Sequence, residues 1–269
     1  MNKAAVIQMT SSMDVTSNLK QVEQLLAQAA NLSAKLVVLP ENFAYMGAHE
    51  GDKLSIAEVM GGGPIQDFLA QQALKYGIWI VAGTIPIQTS NANKVHSACL
   101  VFNEQGTAVA RYDKIHLFDV TVEDKQGYYL ESHSIEAGLQ TVIIDTPVGR
   151  LGLAICYDVR FPELFRILLS QGAELFALPA AFTAVTGQAH WEILIRARAI
   201  ENLSFMLAAG QSGLHANGRE TYGHSMIVDP WGQVLQCLPQ NPGVIIAEIN
   251  REQQQLIRKR FPVIAHRKL

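Results

Sequence analysis

One cysteine stands where a short apolar run meets a turn and the start of a helix. Residues 151–155 predict a strand buried on both faces, while Pro162 and Glu163 are typical of a first helical turn. Unpaired backbone N–H groups and the positive end of a helix dipole near Cys156 would favour its thiolate, which is the nucleophilic form of the side chain. The alternative is that Cys156 is simply a buried small hydrophobic residue. The presence or absence of a base and an oxyanion-stabilising group elsewhere in the chain decides between these two interpretations of Cys156.

A cysteine nucleophile needs a base and a group that stabilises the oxyanion, and two charged residues stand at comparable positions. Glu41 ends an apolar strand predicted over 36–41, and burial there would raise its pKa and make it a usable base near neutrality. Lys114 follows another predicted strand, where its ammonium could hold a carboxylate and face an oxyanion. A solvated surface role is the alternative for each. Because sites gather at strand ends in open α/β sheets, we expect Glu41, Lys114 and Cys156 to meet.

The eight histidines are scattered along the chain without the spacing of zinc ligands, and no metal or cofactor site is predicted. A hydrogen-bonded structural role is expected for each of them. A Cys–His hydrolase or an amidotransferase remains an alternative, although no partner domain for ammonia transfer is visible. Replacing the histidines one at a time would reveal a hidden base.

Composition limits the remaining function classes. The chain has 269 residues with a net charge of −3, which offers no electrostatic basis for binding nucleic acid. Its three cysteines are widely spaced, which predicts no disulfide framework and indicates a reducing compartment. Neither a signal peptide nor an apolar run long enough to span a bilayer is apparent. We therefore expect a soluble, cytoplasmic protein that does not bind membranes, with one domain over residues 1–269.

The elements that must position these residues alternate between strands and helices. Residues 34–43 are similar in sequence to residues 173–182. This internal similarity suggests two related α/β halves whose sheets pack together with helices outside. The predicted helices are 17–34, 66–76, 162–171, 189–203 and 251–259. The predicted strands are 4–9, 36–41, 78–85, 97–102, 109–112, 141–144, 151–155, 175–178, 205–209, 225–228, 234–237 and 244–249.

Three motifs surround the candidate residues: Val-Leu-Pro-Glu at 38–41, Tyr-Asp-Lys-Ile-His-Leu at 112–117, and Ile-Cys-Tyr-Asp-Val-Arg-Phe-Pro-Glu at 155–163. Together they resemble the nitrilase, or carbon–nitrogen hydrolase, superfamily. The resemblance implies an α/β fold built as a four-layer αββα sandwich, a homodimer or higher homo-oligomer, and a catalytic triad of Glu41, Lys114 and Cys156. It also implies a second catalytic glutamate, Glu131, and an oxyanion contact from the backbone N–H of Tyr157.

Within the superfamily, residues 148–158, 189–192, 196–201 and 222–232 are similar to the deaminated glutathione amidases. That resemblance implies a metabolite-repair hydrolase for a small amide with a 2-oxo acid end, acting through a cysteine thioester. Such a substrate calls for cationic and polar contacts, for which Arg160, Phe182 and Thr186 are the candidates. Arg160 could instead pair with Glu163 or another acid.

Several functions remain compatible with these motifs. An omega-amidase acting on 2-oxoglutaramate, another small aliphatic amidase and a nitrilase would all use the same triad. A catalytically silent oligomeric interaction protein on this fold is a further alternative, and the rate of thiol alkylation would distinguish it from an enzyme.

Overall fold

Strand β1 (Lys3–Gln8) buries side chains on both of its faces and thereby defines the order of the layers. In the computed structural model, which describes residues 2–268, Ala4 and Val6 face a second sheet, whereas Ala5 and Ile7 pack against helices. This arrangement follows from the two-residue period of a strand, which sends successive side chains to opposite faces. A strand that is apolar at four consecutive positions, as β1 is over residues 4–7, therefore requires a layer on each side.

The helices and strands have the following bounds. The α-helices are α1 Val15–Asn31, α2 Pro64–Tyr76, α3 Pro162–Ser170, α4 Ala184–Asn202 and α5 Arg251–Arg260. The 3₁₀ helices are Glu50–Ile56, Glu131–His133 and Cys156–Arg160. The remaining strands are β2 Leu36–Val38, β3 Trp79–Val81, β4 Ile85–Gln88, β5 Val95–Phe102, β6 Ala108–Asp113, β7 Asp119–Thr121, β8 Tyr128–Leu130, β9 Ile143–Thr146, β10 Gly149–Leu153, β11 Leu175–Ala180, β12 Phe205–Gly210, β13 Ser212–Leu214, β14 Glu220–Tyr222, β15 Ser225–Val228, β16 Val234–Leu238 and β17 Gly243–Glu248.

Two sheets form the centre of the sandwich. The first has the order β17-β1-β2-β3-β5-β4, with β6 also paired to β5, and the second has the order β16-β15-β12-β11-β10-β9. Helices α1 and α2 cover the outer face of the first sheet, and α3 and α4 cover that of the second. Strand β1 lies against β12 and β15, so the inner faces of the sheets meet there. The predicted αββα sandwich is confirmed.

The C-terminal segment joins the two halves. Strand β17 pairs antiparallel with β1 in the first sheet, and α5 follows it and binds the second half. Gln254 in α5 donates hydrogen bonds to the carbonyl oxygens of Glu174 and Leu203 at 2.7 and 2.9 Å. Because the C-terminal segment contacts both halves, it supports our proposal that residues 1–269 form one domain. In the described part of the chain, no helix has both the length and the apolarity to cross a membrane.

Two predicted helix starts were wrong, and capping explains both. Helix α1 begins at Val15 because the Asp14 side chain accepts a hydrogen bond from the Ser17 backbone N–H. Helix α4 begins at Ala184, five residues earlier than predicted, because Thr183 caps it through the N–H of Thr186.

The single strand predicted over 78–85 is two strands separated by a turn. Gly83 has a φ of +52°, and a side chain there would collide with the Pro40 carbonyl oxygen. The next residue, Thr84, accepts a hydrogen bond from the Asn42 backbone N–H at 2.9 Å. This turn therefore holds the segment that carries Glu41.

Candidate active site

Cys156 is the first residue of the 3₁₀ helix that follows β10, and its φ of +45° lies in the left-handed region. This conformation is strained for a residue with a side chain and persists only where neighbours enforce it. Asp158, fully buried, supplies that restraint: its Oδ2 accepts hydrogen bonds from the Ile155 N–H at 2.8 Å and from the Tyr112 hydroxyl at 2.7 Å. The turn that presents the thiol is thus anchored from both sides.

The same carboxylate ties this turn to the lysine motif. Oδ1 of Asp158 accepts a hydrogen bond from the His116 backbone N–H at 3.2 Å and lies 2.7 Å from His116 Nδ1. The His116 ring stacks on Phe161 with centroids 3.7 Å apart. His116 is therefore a structural link between two motifs.

Lys114 lies between two carboxylates at the base of the site. Its Nζ is 2.9 Å from Glu41 Oε1 and 2.8 Å from Glu131 Oε2, and all three residues are buried. The carboxylate of Glu131 also accepts a hydrogen bond from the Phe118 N–H at 2.8 Å. The structure thus brings together Glu41, Lys114 and Glu131, as expected from the sequence.

The thiol of Cys156 completes this cluster. It lies beside the Glu41 carboxylate and near the Ala181 backbone N–H, and both groups influence the pKa of the thiol. The Glu41 carbonyl oxygen in turn accepts a hydrogen bond from Gln211 Nε2 at 2.9 Å. The Glu41 carboxylate therefore forms an ion pair with the ammonium of Lys114 and lies beside the thiol of Cys156.

The pKa values of Glu41 and Cys156 are shifted in the opposite directions to those expected from the sequence. Burial alone would raise the pKa of Glu41, but the adjacent Lys114 ammonium outweighs it and holds the pKa below its usual range. Burial and the Glu41 charge raise the pKa of the Cys156 thiol, so the expected stabilisation of a thiolate was wrong for the resting site. The pKa of Lys114 lies well above its usual value because two carboxylates offset the effect of burial. The resting pair is thus a thiol beside an ionised carboxylate.

A cleft opens above the cluster. Tyr157, Phe182 and Thr186 line it, as the sequence indicated. Arg160 lies behind this lining, with its guanidinium 5.0 Å from the Phe182 ring centroid and 5.8 Å from that of Tyr157. Its Nη1 is 3.2 Å from His190 Nδ1, in place of the acidic partner considered from sequence.

Two cations in the cleft lining were missed by the sequence analysis. Lys53 belongs to the 3₁₀ helix Glu50–Ile56, in a stretch where the sequence predicted neither a helix nor a strand, and its charge helps to lower the pKa of Glu41. Arg219 lies in the turn between β13 and β14. Neither residue belongs to a recognisable motif, because only the folding of distant loops brings them to the cleft.

Histidines and metal ligands contribute little to this region. Across residues 2–268 no histidine lines the cleft, and no group of histidine, cysteine, aspartate and glutamate side chains is arranged to hold a metal ion. Buried His215 lies between the Ser11 carbonyl oxygen and the Thr221 hydroxyl, at 2.9 and 2.8 Å. The arrangement suits nucleophilic attack by the thiol, with a carboxylate as base.

Comparison with known proteins places this site in a family context. Residues 3–259 match the carbon–nitrogen hydrolase family. The deaminated glutathione amidase of Yersinia enterocolitica is 43% identical over 97% of this chain and 91% of its own length. The crystal structure of the Caenorhabditis elegans NitFhit protein is 38% identical, covers 99% of this chain and 65% of that chain, and has a TM-score of 0.92.

A further solved structure bears on the nucleophile. It is an amidase from Nesterenkonia sp., 25% identical over 97% of this chain and 98% of that chain, with a TM-score of 0.80. That structure shows the product of Michael addition of acrylamide at the amidase's active-site cysteine.

Proposed function

Because the chain belongs to the carbon–nitrogen hydrolase family and acts on amides, we propose that it hydrolyses deaminated glutathione to 2-oxoglutarate and cysteinylglycine. The observation that carries the proposal is the Glu41 carboxylate, which contacts both the Cys156 thiol and the Lys114 ammonium beneath an open cleft. The identity to deaminated glutathione amidases over nearly the full length supports the substrate.

The proposed reaction begins with transfer of the thiol proton to Glu41 as the sulfur attacks the amide carbon. The raised pKa of Cys156 and the lowered pKa of Glu41 mean that the proton moves only as the new C–S bond forms. The Lys114 ammonium and the Tyr157 backbone N–H then stabilise the tetrahedral oxyanion. Glu131 keeps Lys114 directed at this position through its own ion pair.

Collapse of the intermediate breaks the C–N bond, and protonated Glu41 returns its proton to the leaving amine. The acyl group remains on Cys156 as a thioester. Glu41 next takes a proton from water, whose oxygen attacks the thioester. The second tetrahedral intermediate releases the carboxylic acid and returns the thiol.

The acyl half of this substrate carries a carboxylate beside its 2-oxo group, which requires cations. Lys53 lines the cleft close enough to influence Glu41, and Arg160 lies behind the lining rings. We assign the direct contact with the acyl carboxylate to Lys53, while the charge of Arg160 acts on it from behind the rings. Phe182 and Thr186 supply an apolar wall and a hydroxyl beside it.

The test is release of 2-oxoglutarate from deaminated glutathione and, separately, from 2-oxoglutaramate. We expect deaminated glutathione to be preferred, with no turnover by folded Cys156→Ala and normal turnover by Cys237→Ala, which alters an exposed thiol. A preference for 2-oxoglutaramate would make the protein an omega-amidase with the same mechanism. Inactivity of the wild-type protein on both substrates would refute the proposal.

We also propose that the chain acts in the cytoplasm as a homodimer or higher homo-oligomer. All three cysteines are free thiols, which suits a reducing compartment. Helices α3 and α4 expose Ile167, Ile193 and Ile200, whose burial by a second copy would remove apolar surface from water. Sedimentation equilibrium tests the assembly, and a monomer at micromolar concentration would refute that part.

A further inference from the structure

Arg219 lies where the catalytic cleft meets a second, outer groove. It lines both the cleft above Cys156 and an adjoining groove. The outer groove runs between the loop that carries Lys125 and the turn that carries Gly218 and Glu220, and these three residues are exposed. The groove therefore continues from the buried nucleophile towards solvent.

Backbone and ring contacts fix the guanidinium at this junction. Nη2 of Arg219 donates a hydrogen bond of 2.7 Å to the Ala181 carbonyl oxygen, and the N–H of the same alanine lies close enough to the Cys156 sulfur to lower the pKa of the thiol. The guanidinium also lies 5.3 Å from the centroid of the Tyr129 ring. Because one residue links the two contacts, the guanidinium lies within roughly 10 Å of the sulfur.

We propose that Arg219 binds the terminal carboxylate of the leaving group and so selects amides whose amine half is a short peptide. This inference rests on the proposed function and deepens it. The leaving half must depart before water reaches the thioester, so it occupies the side of the cleft that opens to solvent. The acyl half stays attached to Cys156 and occupies the closed side.

The dimensions and charges of the groove suit a dipeptide such as cysteinylglycine. An extended dipeptide spans about 7 Å, which falls within the limit of roughly 10 Å between the Cys156 sulfur and the Arg219 guanidinium. The groove also contains acids. Asp124 accepts hydrogen bonds from the Gly127 N–H at 2.9 Å and the Tyr129 hydroxyl at 2.7 Å, and Glu220 is exposed to solvent. The fixed cation at the junction is thus the natural partner for an incoming carboxylate.

The decisive experiment compares Arg219→Gln with the wild-type enzyme on two substrates. For deaminated glutathione we expect kcat/KM to fall about 10- to 100-fold through a higher KM, the usual effect of losing a charge-assisted hydrogen bond. For 2-oxoglutaramate, whose leaving group is ammonia, we expect a change below about twofold. Arg219→Lys should recover part of the loss, and Arg196→Gln, which alters an arginine of α4 outside the cleft lining, should leave both substrates unaffected.

A modified substrate separates recognition of the carboxylate from a structural effect. Deaminated glutathione with a C-terminal carboxamide should be a poorer substrate for the wild-type enzyme by the same factor, and Arg219→Gln should show no further loss. Equal losses on both original substrates would overturn the inference, because Arg219 would then act on the acyl half or on the nucleophile. Wild-type inactivity on deaminated glutathione would instead count against the proposed function.

Discussion

Asp158→Asn tests whether one buried carboxylate holds the nucleophile in its strained position. Both oxygens of Asp158 accept two contacts each, from Ile155 and Tyr112 on one side and from the backbone and ring of His116 on the other. Asparagine replaces one of these oxygens with an NH₂ group. That NH₂ group is a hydrogen-bond donor, and it would face the two donors that the oxygen had accepted from. The Tyr112 hydroxyl and the His116 ring can reverse their roles, but a backbone N–H cannot.

The expected loss of stability follows from the hydrogen bonds that asparagine cannot accept. Whichever way the amide is placed, one buried backbone N–H loses its acceptor, which costs about 1.5–3 kcal/mol for a bond to a charged group. The remaining bonds become neutral and weaker. We therefore expect the free energy of unfolding to fall by about 3 kcal/mol. Because Cys156 would relax from its positive φ, we also expect kcat to fall about 100-fold, the usual cost of a misplacement near 1 Å.

The assay is urea unfolding of wild type and variant, together with kcat measured on folded protein in the absence of denaturant. Asp145→Asn is the matched control, because Asp145 is exposed and its ion pair with Arg150 is long at 3.7 Å. That variant should change the free energy of unfolding by less than about 0.5 kcal/mol. An Asp158→Asn variant with wild-type stability and kcat within twofold of wild type would refute this reasoning.

Two predictions concern pH. Since Glu41 acts ionised with a pKa below its usual 4.5, and Lys114 stays charged beyond 10.5, kcat/KM should be flat between about pH 5 and about pH 9. An acid limb near pH 6.5 would instead point to a histidine base. Burial, with a contribution from the Arg219 charge, lowers the pKa of His215 from 6.5 to about 4, so the unfolded chain binds its proton first as pH falls. The contribution of His215 to the free energy of unfolding is therefore complete above pH 6.5, and roughly 3 kcal/mol of it is lost as the pH falls to 4. Chemical denaturation at several pH values should show this loss, and His215→Gln should reduce it.

The residues that carry the chemistry could be identified from sequence because their signals are local. Glu41 and Cys156 each follow a run of apolar residues, and a charged or nucleophilic side chain at the end of a buried strand is informative without knowledge of its neighbours. The family resemblance implied the αββα layering and the similarity of residues 34–43 to 173–182 suggested two packed halves, and strands apolar on both faces agree with it because they need cover on both sides.

The protonation states could not be predicted in the same way. The expectation for Glu41 considered only its burial, whereas its pKa is lowered by Lys114, which lies 73 positions away in the chain. The expectation for Cys156 considered the helix end, whereas burial and the Glu41 charge dominate. Electrostatic interactions depend on distance in space, and sequence spacing does not report it.

The sequence by itself determined the strand ends that carry the thiol, the carboxylate and the ammonium, and its motifs determined the family resemblance, which implied the layer order. Only the tertiary structure showed that Lys53 and Arg219 reach the cleft, that Arg160 lies behind its wall, and that Asp158 connects two motifs. The physical reason is that strand patterns are local and repetitive, whereas the shape and charge of a cleft depend on where loops from distant parts of the chain come to lie.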